Sequence, residues 1–154
     1  MTAPESEKIL EALSYGVVGE HQRGLATLQP MVDAGPRSTY AMLGALAEMA
    51  SKEARETNAP GTQFGISAEV LDGAVSVDVM PPSLRFAARF ITAWASRDED
   101  TAEALFWAVA EPSDRDGTDD LADAITAVYG MAVAAAEHTV LQQQRRQRET
   151  GESG

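Results

Sequence analysis

The chain has 154 residues, 44% of them apolar, which suits a single domain with one buried core and argues against global disorder. It has no cysteine, so disulfides, thiolate metal sites and cysteine nucleophiles are excluded. Its net charge of −12 repels nucleic acid and anionic membranes and favours basic partners or plain solubility.

The start, Met1 to Leu13, carries Glu5 and Glu7 and no apolar h-region, so a signal peptide is not expected. No apolar run approaches the ~20 residues of a membrane helix, and a cytoplasmic location is the expectation. Few lysines beside many arginines and alanines suggest a bacterial, GC-rich coding sequence.

Taken in chain order, Pro4 to about Val18 reads as a first helix, with Ile9, Leu10, Leu13 and Val17 on one face. A second helix covers about Glu20 to Val32, with Pro30 inside it as a kink or restart. After Gly35-Pro36 a third runs from Pro36 to Thr57, and Asn58-Ala59-Pro60-Gly61 stops it.

The period then changes from helical to alternating. Phe64, Ile66, Ala68 and Val70 alternate, Asp72-Gly73 intervenes, and Val75, Val77 and Val79 alternate again. Asp-Gly between such runs predicts a β-hairpin over 63–80, pairing Val70 with Val75, Ala68 with Val77 and Ile66 with Val79. The alternative is a helix over Ser67–Ala74. An isolated hairpin needs packing to be stable, so its apolar face is expected on Phe86 and Phe90 or on another subunit.

Pro81-Pro82 ends that segment, and Ser83 is the expected cap of a fourth helix, Leu84–Ala95. It is apolar nearly all round, interrupted by a stripe of Arg85, Arg89, Thr92 and Ser96, and so belongs at the centre of the fold. Asp98 caps a fifth helix that Pro112 is expected to stop near Glu111. A last helix starts at Thr118, capped by Asp116 or Thr118, and runs to about Gln147. Residues 149–154 have the composition of a disordered tail.

The predicted fold is therefore mainly α. One domain over 1–148 holds about six helices in two three-helix halves, with the hairpin between them. A shift of 77 aligns Leu28 with Leu105 and Val32 with Val109. A shift of 82 aligns Gly35 with Gly117, Leu43 with Ile125, Leu46 with Val128, Met49 with Met131 and Ala50 with Ala132.

Chemistry is sparse. His21 and His138 lack any His-Glu-x-x-His or Glu-x-x-His spacing. The acidic run Asp114–Asp120 invites a calcium reading, but an EF-hand register puts Pro112 where the first ligand belongs. Glu48 and Lys52 form an ordinary helical pair. No cofactor, metal or catalytic site is expected. Trp107 falls off its helix's apolar stripe, and Arg145, Arg146 and Arg148 make the one basic island; these four are the candidate partner contacts. The expectation is a non-catalytic acidic interaction or accessory protein that contacts a protein partner or itself. The alternative is an acidic inhibitor or antitoxin-like protein directed at a basic partner.

Overall fold

The computed structural model describes residues 3–57 and 81–153. Six helices occur among them: α1 Ala3–Val17, α2 His21–Asp33, α3 Pro36–Thr57, α4 Pro82–Ala95, α5 Glu99–Asp116 and α6 Asp120–Ser153. The mainly α bundle expected from the sequence is found, but its β-hairpin insert is corrected: no strand occurs among the described residues. The stretch assigned to the hairpin, 63–80, lies outside them. Among the described residues the core is built by helices alone, and Phe86 and Phe90 of α4 are buried in it, with their rings stacked on each other at 5.5 Å. Phe90 also stacks on Trp94 and meets the edge of Tyr40 from α3.

Three helix ends show why the chain turns where it does. Gly19, Gly35 and Gly117 take positive φ after α1, α2 and α5, a conformation glycine adopts without a Cβ penalty. After α4 the same role falls to Arg97, at φ 63°. There the Asp98 N–H returns to the Ala93 carbonyl at 2.9 Å and the Arg97 N–H to Trp94 at 3.0 Å, a Schellman closure. Asp98 then caps α5 as predicted, accepting from the Thr101 N–H at 3.2 Å.

Other boundaries move. Pro112 is carried inside α5 and does not stop it near Glu111, while Pro30 lies inside α2, where it was expected. α4 begins at Pro82, with Pro81 rather than Ser83 at the cap position. Neither Asp116 nor Thr118 caps α6. Its Leu121 N–H is met at 3.2 Å by the hydroxyl of Ser113, which itself donates to the Thr118 carbonyl at 2.9 Å. The buried serine thus closes the α5–α6 turn from one side and starts α6 from the other. α6 continues to Ser153, through the residues expected to form a disordered tail. Over Asp120–Glu149 it also reaches the length and apolarity of a membrane-crossing helix, by composition alone. Its buried side chains, Ala124, Ile125, Val128, Tyr129, Ala132 and Val133, belong to the core shared with the other helices.

The core joins all six helices in one cluster. α3 and α6 lie together at its centre, α4 packs on both, α5 packs on α4, and α1 with α2 covers the remaining side. Exchanging the halves preserves part of the layout: α1 packs on α6 as α4 packs on α3, but α4 also packs closely on α6, whereas α1 touches α3 only slightly. The burial pattern corrects one register. Leu28 has its buried counterpart in Phe106 and not in the half-buried Leu105, one residue further along than the shift of 77. Large and small residues complement each other at both of these contacts. Trp94 of α4 lies over Gly44 of α3, and Tyr129 of α6 fills the space left by Gly16 and Gly24. The Tyr129 hydroxyl donates to the Ala12 carbonyl at 2.5 Å, and burial pushes its pKa up.

Candidate functional site

Charge is not spread evenly over this scaffold. Residues 98–123 carry ten carboxylates against Arg115 alone, nine of the chain's net twelve negative charges. Two clusters result. Asp98, Glu99, Asp100 and Glu103 are exposed at the start of α5. Tyr40 on α3 lies near them, and its phenol is pushed up by burial first and then by Glu103, Glu99 and Asp100. Asp98 itself is held below the ordinary carboxylate range by its side-chain and backbone bonds to Thr101.

The second cluster sits where α5 meets α6: Glu111, Asp114, Asp116, Asp119, Asp120 and Asp123, all exposed. The three on α6 and just before it suit the positive end of that helix. Asp114 and Asp116 do not, because they stand in the last turn of α5 at its negative end, where an added carboxylate costs about 0.3–1 kcal/mol; Glu111 lies just before that turn. Packing does not require them there, since all three are exposed.

Beside this corner lies an open cleft of about 440 Å³, between the start of α4, the second half of α5 and the start of α6. Phe86, Val109, Ala124 and three prolines give it apolar walls, and Asp120 and Asp123 stand on its rim. Pro112 adds a polar feature. Having no N–H, it withdraws the donor that the Ala108 carbonyl would receive in an uninterrupted helix, and both residues line the cleft. Carbonyl and carboxylates together offer acceptors above an apolar floor, which suits a donor-rich cation on an aliphatic stem.

The residues singled out in the sequence do not gather into one site. Trp107 is half-buried in α5, packed against the core with its ring edge on Phe106 at 5.1 Å. Arg145, Arg146 and Arg148 are exposed near the far end of α6, with Arg145 about 37 Å along the helix from Asp120. The histidines are not brought together either. His21 places its ring edge-on to Tyr129 at 6.1 Å, and His138 is nine residues further along α6, about 14 Å. Among the described residues no three His, Asp or Glu side chains converge on a point that could hold a metal ion. Asp114 and Asp116 belong to α5 and Gly117 to its C-cap, so the calcium-loop register has no loop to occupy. Glu48 accepts from the Trp94 indole at 2.8 Å and lies 3.8 Å from Arg97.

Sequence reasoning missed the α5–α6 corner as a surface. The signal was countable: ten acids and one base in 26 consecutive residues. What it lacked was the cleft, which joins three segments far apart in the chain. Comparison with protein-family models, curated proteins and solved structures finds no match.

Proposed function

We propose that this chain is a non-catalytic interaction protein whose acidic α5–α6 corner docks a basic segment of a protein partner. The observation that carries the reading is an apolar cleft with Asp120 and Asp123 on its rim, next to Asp114 and Asp116, which stand against the dipole of α5. Carboxylates that oppose local stability, at exposed positions, are what a surface shaped for a cation would retain. An arginine entering the cleft would lay its stem on Phe86 and Val109 and turn its guanidinium to Asp120, Asp123 and the Ala108 carbonyl.

An acidic inhibitor of a basic enzyme would use the same corner, and the concave cleft favours this second reading, since it accepts a protruding side chain. The two are separated by whether the bound partner loses activity. The test of the shared reading is titration with an arginine-rich helical peptide. Affinity should fall steeply between about 50 mM and about 500 mM salt, as exposed charges are screened. Binding that is absent, or unchanged over that range, would refute it.

A further inference from the structure

Packing thins along the second half of α6, where Ala135 still lies against the core. Beyond Val133 no described residue of the helix is buried, although the helix runs on for twenty residues. A helix of that length with so little burial is marginal in water. Val140 and Leu141 stand on it 38% and 53% exposed.

The face of α6 centred on Ala134 explains what would cover it. At helical spacing it reads Asp120, Asp123, Ala127, Gly130, Ala134, His138, Leu141, Arg145, Arg148. All are exposed except Ala127 and Gly130, which are half-buried. The order is acidic, then small, then basic. Gly130 is the informative member. Gly24 and Gly44 each make room for an aromatic ring and Gly16 for Val133, but a Cβ at Gly130 would meet nothing within 4 Å. A mid-helix glycine lowers helix stability, and this chain's own packing gives no reason for it. Close approach of a second backbone would.

We infer that the partner of the acidic corner is a second copy of this chain, its α6 lying antiparallel to the first about a two-fold axis at Ala134. The proposal rests on the reading above and names the occupant of the same surface. About that axis the face is self-complementary. Asp123 and Arg145 are each eleven residues from Ala134, Asp120 and Arg148 each fourteen, and Ala127 and Leu141 each seven. Each acid of one copy therefore meets an arginine of the other. Leu141 lies against Ala127, and Gly130 and Ala134 let the helices approach closely at the centre. Within one chain this pairing is impossible, since Asp120 and Arg148 are about 42 Å apart on one continuous helix. An isologous contact uses both ends of both helices and closes at two copies. The guanidinium of Arg145 reaches Asp123 beside the cleft, where its stem has the apolar wall to lie on.

The test is molar mass by light scattering on the full chain at about 100 µM in about 50 mM salt, where the charges are least screened. Wild type should run at twice the chain mass. Asp120→Arg/Asp123→Arg and Arg145→Asp/Arg148→Asp should each be monomeric, with self-affinity at least about tenfold weaker. An equimolar mixture should recover the dimer, because every pair across the two-fold axis is then complementary. The chain has no cysteine, so Ala134→Cys should cross-link to itself under mild oxidation and Ala122→Cys should not. This readout stands even if a charge-reversed chain fails to fold. A monomeric wild type, a dimer indifferent to both reversals, or masses growing beyond two copies would overturn the pairing. The Arg145→Asp/Arg148→Asp chain also separates the two proposals. It keeps the corner but cannot pair with itself, so peptide binding by it with no wild-type dimer sinks the inference and leaves the reading. Failure to bind peptide sinks the reading.

Discussion

Replacing Gly24 by alanine tests how the two halves are locked together. A Cβ at this position would overlap the Tyr129 hydroxyl and lie 2.6 Å from the Ala12 carbonyl oxygen, a backbone atom that cannot swing aside. Overpacking of this kind costs about 1–3 kcal/mol. Displacing the hydroxyl also disturbs the buried bond to Ala12, worth about 1 kcal/mol. Against these, alanine gains about 1 kcal/mol of helix propensity over glycine. The net expectation is a loss of about 1–3 kcal/mol. With a urea m-value of about 2 kcal/mol/M, the midpoint of unfolding followed by circular dichroism should fall by about 1 M. Gly130→Ala is the matched control, since its Cβ points into open space. In about 500 mM salt, where self-pairing is screened, it should raise stability by about 0.5–1 kcal/mol. If Gly24→Ala is neutral or stabilising, Tyr129 does not fill the space assigned to it and the account of the α1–α2–α6 contact is wrong.

Other expectations follow from single contacts. Ser113→Ala removes the hydroxyl shared by the Thr118 carbonyl and the Leu121 N–H, and should cost about 1–3 kcal/mol in urea unfolding, with hydrogen exchange rising first at the start of α6. Arg97→Gly relieves a left-handed arginine and gives up only an exposed ion pair with Glu48, so stability should rise by about 0.5–1 kcal/mol. The Asp98 cap has a pH signature. Its folded pKa is depressed by Thr101, so its stabilisation is present above the ordinary aspartate range and is lost as pH falls through the folded pKa. Asp98→Asn keeps an acceptor for the cap, and the urea midpoints of the two proteins should converge at acid pH.

Much of the helical frame was legible because its signals are local. Pro36 and Asn58-Ala59-Pro60-Gly61 bracket α3, Asp98 begins α5, and the near-continuous apolar run Leu84–Ala95 marks a well-buried helix, although α3 and α6 rather than α4 lie at the centre. Pro112 misled, since it is accommodated inside α5 and does not end it. The alternating run 64–79 lies outside the described residues, among which every regular element is a helix. Tyr129 was missed as a core residue because its hydroxyl needs a partner 117 positions away in sequence, the Ala12 carbonyl. Of the interaction surface, Arg145 and Arg148 could be named from the sequence. Asp120 and Asp123 were not singled out with them, because the face that unites the four becomes visible once the buried side of α6 is known.

The central claim is that the carboxylates at the end of α5 serve binding and oppose folding. It is tested most directly by measuring both quantities on Asp114→Asn/Asp116→Asn. Removing negative charge from the end of α5 should raise unfolding stability by about 0.5–1 kcal/mol. In the same protein, affinity for an arginine-rich peptide at about 50 mM salt should fall severalfold. Loss of stability, or unchanged peptide affinity, would contradict the account.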